Sequence, residues 1–336
     1  MTKIEIISGF LGAGKTTLIR KFLAERDTGE TVAIIENEFG EVGIDGFTLQ
    51  QSGVSVREIN AGCICCSLVG NFDVALRDLL KKYKPDRIII EPSGVGKLSD
   101  IHTACREIGR NYDATVSFCA TIVDVKKYMI YKRNFAEFYM NQIEAASLVL
   151  FSRVEEVPLD MLNDISKDIR RINSDVHLIS TPWDQISAND IRNSVQRSPE
   201  RIWSDAHTMN RKNVRLSSPI PFSAHHGVTR TGHTGHRHSA ADVFSFWGVE
   251  TPIIFTEEKL RDVLSSFADA KCGNVLRAKG IVKMKGELEP LIERWCAFDY
   301  VQEEIHFYPS KPDVVGKICV IGSELKGDVL AERFGV

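Results

Sequence analysis

Residues 9 to 17 read Gly9-Phe10-Leu11-Gly12-Ala13-Gly14-Lys15-Thr16-Thr17, a G-x-x-x-x-G-K-[ST] run with a second threonine behind it. Glycines at this spacing let backbone N–H groups turn inward around phosphate oxygens with no Cβ in the way. Lys15 is placed to bridge β- and γ-phosphates, and the Thr16 hydroxyl to ligate Mg²⁺. The run follows an apolar stretch and opens a helical pattern, the setting this motif requires. Further on, Arg87-Ile-Ile-Ile-Glu91-Pro92-Ser93-Gly94 puts a carboxylate at the end of a second apolar run. Glu91 is expected to hold Mg²⁺ through water, and Gly94 to offer its N–H to the γ-phosphate. An acidic turn closing an ordinary strand is the competing reading, and the phosphate loop upstream favours the first.

A second chemistry lies in the thiols. Of eight cysteines, three crowd into four positions as Cys63, Cys65 and Cys66. Thiolates favour Zn²⁺ and other soft or borderline ions. In an extended segment Cys63 and Cys65 share a face, and a turn can bring in Cys66, leaving one tetrahedral position open. A labile fourth ligand suits transfer of a metal better than storage. Upstream, Glu36-Asn37-Glu38-Phe39-Gly40-Glu41 offers Glu36 and Glu41 as carboxylate ligands; a solvated acidic loop is the alternative.

Five of nine histidines, His225, His226, His233, His236 and His238, fall within fourteen residues. Neutral imidazole suits Zn²⁺, Ni²⁺, Cu²⁺ and Co²⁺, and in a polar segment such a site captures or buffers metal rather than holding it. A polar linker that is His-rich by composition alone is the plainer alternative. His102, His177, His207 and His306 are scattered and read as structural or solvated. Cys105, Cys119, Cys272, Cys296 and Cys319 sit among apolar residues and read as core.

These groups need a scaffold. Strands are expected at Ile4–Ser8, Thr31–Ile35, Arg87–Ile90, Val116–Val123, Ser147–Phe151 and Val176–Ile179, with helices at Thr16–Arg26, Phe72–Tyr83, Leu98–Gly109 and Leu159–Ile172. This alternation predicts an α/β fold, a mainly parallel sheet covered on both faces. After a polar stretch, strands at Val243–Val249, Val275–Met284, Arg294–Tyr300, Glu304–Tyr308 and Lys317–Ile321, with helices at Glu257–Ala270 and Glu324–Phe334, predict a small α+β domain. The expected division is a nucleotide-binding domain at 1–198, a His-rich linker at 199–241 and the second domain at 242–336.

The chain's 336 residues are enough for two domains without disulfides. A net charge of -3, from 42 basic and 45 acidic residues, gives no electrostatic case for a nucleic-acid or membrane-surface partner. No apolar run is long enough to span a bilayer. The first residues enter a strand rather than a cleavable leader, so a cytoplasmic location and reduced thiols are expected.

Gly9 to Thr17, Glu36-Asn-Glu-Phe-Gly40, Gly62-Cys-Ile-Cys-Cys66 and Glu91-Pro-Ser-Gly94, in this order, resemble the CobW family of P-loop GTPases, metallochaperones or metal-insertion proteins. Leu276-Arg-Ala-Lys-Gly-Ile-Val282 resembles the signature of that family's C-terminal domain, so the likeness covers the whole chain. It implies GTP and Mg²⁺ on Gly9 and Gly12 to Thr17, and Zn²⁺ or Co²⁺ on the cysteine motif. It further implies release of that metal to a client metalloprotein or a cobalamin-related pathway, driven by nucleotide state. Family members read guanine with Asn-Lys-x-Asp after a strand. Here Ser152, Arg153 and Glu155 take those places, which puts guanine selection in question. These motifs offer no obvious arginine finger to meet the transition-state charge, so a partner or a second copy of the chain is expected to complete the site. Rival readings are a non-hydrolysing metal store or sensor, an NTPase of relaxed base choice, and a small-molecule kinase, which leaves the cysteines unexplained.

Overall fold

The computed structural model describes residues 1–36, 55–58, 72–196, 240–285, 294–302, 304–310, 313 and 315–336. Its Ile- and Val-rich runs form one parallel sheet. The strands are β1 (Thr2–Gly9), β2 (Val32–Glu36), β3 (Ser55–Glu58), β4 (Arg87–Glu91), β5 (Ala114–Asp124), β6 (Leu148–Ser152) and β7 (His177–Ile179). They lie in the order β3-β2-β4-β1-β5-β6-β7, each pair of neighbours parallel. Successive side chains of a strand point to opposite faces. Accordingly Ile88 and Ile90 enter one core while Ile89 enters the other, and Ile35 and Ile34 divide the same way. Burial on both faces is what a continuous apolar run encodes.

Helices α1 (Lys15–Ala24), α2 (72–78, ending in a wider turn at Leu79–Tyr83), α3 (Leu98–Gly109), α4 (Tyr128–Asn134), α5 (Ala136–Glu144), α6 (Leu159–Ile172) and α7 (Ala188–Gln196) accompany this sheet. The α/β expectation holds, and α3 and α6 have the expected bounds. The sequence reading omitted β3, α4, α5 and α7. The α7 helix is tied to the strand layer by charge: Arg192 donates through Nε to Glu5 Oε1 at 2.9 Å, and Arg87 pairs with the same carboxylate. Glu5 is 1% exposed, in the middle of β1.

The second unit is a sheet of β8 (Ser245–Thr251), β9 (Ile254–Phe255), β10 (Asn274–Met284), β11 (Arg294–Val301), β12 (Glu304–Pro309) and β13 (Gly316–Ser323). Its path β12-β11-β10-β13-β8 is antiparallel, and the short β9 runs parallel to the end of β10. A single turn, α8 (Ala240–Val243), precedes it, so the first strand starts at Ser245 rather than Val243. Helix α9 (Glu257–Ser265), capped by the Thr256 side chain, gives way to 3₁₀ turns at Ser266–Ala268 and Ala270–Cys272, where a helix to Ala270 was expected. Helix α10 (Gly327–Phe334) packs with α9 on one sheet face, where Leu260, Leu264, Leu330 and Phe334 meet Val282, Phe298 and Val320. The two units share contacts. Phe244, Leu276, Cys319 and Ile321 join the core of the first. Among the described residues, no helix is long and apolar enough to cross a membrane.

Candidate functional site

The site forms at the carboxyl ends of the central strands, where an open α/β sheet leaves room for a ligand. β1 ends at Gly9, the chain turns through residues 10–14, and α1 starts at Lys15. Gly14 takes φ +107°, a left-handed conformation that side-chain-bearing residues rarely adopt, and this aims the first turn of α1 back at the loop. Phe10 is fully buried, its ring 4.5 Å from Tyr131, 5.3 Å from Phe135 and 5.7 Å from Tyr139. Tyr131 also donates its hydroxyl to the Leu11 carbonyl at 3.3 Å. The phosphate loop is thus fixed from behind by α4 and α5, which sequence reasoning missed. Their signal was present: Tyr128, Tyr131, Phe135, Phe138 and Tyr139 recur at helical spacing, and all are buried.

Lys15 is 5% exposed, and its ammonium donates to the Phe10 carbonyl at 3.4 Å, 3.9 Å from Glu91 Oε1. The Thr16 hydroxyl lies 3.4 Å from each Glu91 oxygen. A hydroxyl facing a carboxylate, both oxygen donors, fits a hard divalent cation that keeps several waters, so the residues present suit Mg²⁺. Ala13 is buried beneath the loop, while Thr17 faces solvent. Gly94 packs so tightly that a Cβ there would stand 2.8 Å from Leu11 and 3.2 Å from Lys15 Nζ. Gln142, fully buried on α5, donates its amide to the carbonyls of Gly94 (3.0 Å) and Gly96 (2.9 Å). No local motif marks that glutamine; its role appears only once α5 is placed over the Glu91–Gly96 segment.

Glu36 closes β2, 4% exposed and directly in register with Glu91 on β4. Two strand ends therefore bring two candidate metal carboxylates side by side. Cys63, Cys65, Cys66, Glu41, His225, His226, His233, His236 and His238 lie outside the described residues. Among the described residues, no group of three or more His, Cys, Asp and Glu side chains is arranged to hold a metal. Cys105, Cys119, Cys272, Cys296 and Cys319 are buried, as their apolar neighbourhoods imply, and burial raises the Cys119 thiol to about 12.

β6 ends at Ser152, buried, and the loop after it carries Arg153 at φ +60° and Glu155, exposed. Arg153 pairs with Glu304 of the second sheet and, through Nε, with Asp124 Oδ2 at 3.3 Å. Burial pulls the Asp124 carboxyl above its ordinary range against the nearby Arg153 charge. Burial pulls the same way at Glu304, but the Arg153 hydrogen bond and the Lys127 charge outweigh it and leave that group below its ordinary value. The next loop, after β7, places Trp183 against Gly14, its Cη2 3.1 Å from where a Cβ on that glycine would stand. This aromatic wall was not foreseen either; a lone tryptophan in a polar loop gives no motif.

Comparison with known proteins identifies the family. Residues 3–180 match the family model described as "CobW/HypB/UreG, nucleotide-binding domain", and residues 244–335 match "Cobalamin synthesis protein cobW C-terminal domain". The chain is 29% identical over 293 residues to the Escherichia coli protein named zinc chaperone YeiR, covering 84% of each chain. It is 28% identical over 308 residues to the Sinorhizobium protein named zinc chaperone CobW, covering 84% of this chain and 81% of that one. A solved structure of Zn(II)-bound YjiA GTPase from E. coli aligns over 99% of this chain and 98% of its own at 20% identity, with a TM-score of 0.43. With the first match spanning more than half of its residues, the chain belongs to the CobW/HypB/UreG family of P-loop GTPases.

Proposed function

We propose that this protein is a Mg²⁺-dependent GTPase that carries a transition metal, Zn²⁺ before Co²⁺, and releases it to a client metalloprotein according to nucleotide state. The observation that carries this reading is the register of Glu36 with Glu91. One carboxylate opens the segment leading toward the cysteines, and the other faces the Thr16 hydroxyl. A change at the γ-phosphate that moves one strand end is felt at the other, the local event a nucleotide switch requires. The names of the two curated relatives support zinc as cargo.

In this reading the residue 10–14 backbone and Lys15 grip the phosphates, Thr16 binds the cation directly and Glu91 through water. Bound Mg²⁺ neutralises charge on the β- and γ-phosphate oxygens. Gly94, held by Gln142, offers its N–H to the γ-phosphate. Cys63, Cys65 and Cys66 bind the cargo with Glu36 or Glu41, and the five linker histidines capture it. The division we propose is 1–198, 199–241 and 242–336, in a cytoplasmic protein whose hydrolysis is completed by a partner or a second copy.

Zn²⁺ affinity measured by chelator competition, with Mg²⁺ and either a non-hydrolysable GTP analogue or GDP, tests the coupling. A change of about tenfold or more, ~1.4 kcal/mol, is expected. Equal affinity in both states would leave a metal store or sensor as the account. A relaxed base choice is the second reading. It is favoured by the buried Ser152 hydroxyl, which has no hydrogen-bond partner among the described residues and supplies no amide to brace the base loop.

A further inference from the structure

The end of β11 reaches into the nucleotide site. Val301 lies on the phosphate loop: a Cβ at Gly12 would stand 2.7 Å from Val301 Cγ2. The neighbouring Gln302 carbonyl accepts from Lys127 Nζ at 2.9 Å, and Glu304 Oε1 lies 3.5 Å from the same ammonium. Glu304 also takes Arg153 Nη1, while Asp124 stands 3.3 Å from Nε of the same guanidinium. Asp124 is 2% exposed and pairs in register with Ser152, at the ends of β5 and β6. Arg153 is therefore held between two carboxylates, one from each sheet.

A guanidinium makes its hydrogen bonds in its own plane and leaves its flat faces for stacking on an aromatic ring. One carboxylate at Nε leaves the side chain free to swing about the remaining torsions. A second at Nη1 fixes the plane. We propose that Glu304 is a positioning residue for nucleotide selection: with Asp124 it sets the plane of the Arg153 guanidinium against the purine, so that the second sheet takes part in choosing the base. The inference rests on the reading of Ser152–Glu155 as the base-recognition loop. It goes beyond that reading in assigning part of the selection to a residue some 150 positions away.

The test is the affinity of the full chain for fluorescently labelled GTP and ATP, in the wild type and in Glu304→Gln, Arg153→Lys and Val301→Ala. Glu304→Gln removes the charge that orients Arg153, and its GTP-to-ATP affinity ratio is expected to move about fivefold or more. Arg153→Lys keeps the charge and loses the planar fork, so its ratio moves in the same direction; it carries the test should Glu304→Gln fail to fold. Val301→Ala loosens the end of β11 without touching Arg153 and is expected to keep the ratio within about twofold. A ratio unchanged in Glu304→Gln, or moved equally by Val301→Ala, reduces Glu304 to a clasp between the sheets and overturns the proposal. Wild-type protein that binds neither nucleotide overturns the underlying reading instead, and does so before any variant is compared.

Discussion

The hydroxyl of Thr16 lies equally far, 3.4 Å, from both carboxylate oxygens of Glu91, although the two residues are 75 positions apart. One belongs to the first turn of α1 and the other to the end of β4, and the adjacency of β1 and β4 brings them together. Glu91→Gln keeps the shape and removes the charge. It should weaken Mg²⁺-dependent turnover by ~10–100-fold, as loss of a partner acting through water typically does. Thr16→Ala, which removes the proposed direct ligand, should cost more. Phosphate release measured against Mg²⁺ concentration separates the two: both curves shift to higher Mg²⁺, and equal shifts would count against the assigned roles.

Gln142 makes a different prediction. Its amide serves two carbonyls of the segment that carries Gly94. Gln142→Leu fills the same space and leaves those carbonyls without their donor, at about 1–3 kcal/mol of stability. The loosened segment no longer presents the Gly94 N–H, so kcat should fall more than KM rises. Urea unfolding and steady-state kinetics on one preparation check both halves.

Glu5 concerns folding alone. It lies far along β1 from the phosphate loop and neutralises Arg87 and Arg192 inside the protein. Glu5→Ala takes the carboxylate from buried Arg192 and leaves Arg87 to Glu30 alone, and should destabilise by about 3–5 kcal/mol. Nucleotide affinity of the fraction that remains folded should be unchanged. A denaturation midpoint close to the wild type would refute the argument.

His102, on α3, gives a pH signature. Burial, followed by the Arg106 charge, lowers its pKa from an ordinary 6.5 to about 4. Between those values the unfolded chain binds the proton and the folded one does not, so stability falls as pH drops from 6.5 towards 4 and levels off below. His102→Gln should flatten that part of the profile. Melting temperature recorded at half-unit steps in both proteins is the measurement.

What could be read in advance was what neighbouring residues encode. The phosphate loop, the Glu91-Pro-Ser-Gly94 segment, α3 and α6 are each specified by residues close in sequence, and they stand where their patterns put them. The aromatic helices α4 and α5 were legible from their spacing, but each is short and the run breaks between them at Phe135. β3 is four residues long and exists by pairing with β2. Gln142 with Gly94, Glu304 with Arg153 and Val301 with Gly12 are long-range contacts that no local window contains. The phosphate loop and the placement of Glu91 were therefore legible, while the residues that hold them in place were not.

The contact of Val301 with Gly12 also sets an order in time. Nearly the whole chain separates the two residues. At ~5–20 residues per second, a ribosome that has made the phosphate loop needs ~15–60 s more to make the residue that covers it. For that interval the nascent loop is open on the side that the finished molecule closes. A nucleotide arriving then meets a half-built site, and the last strands of the protein are laid down over whatever it holds.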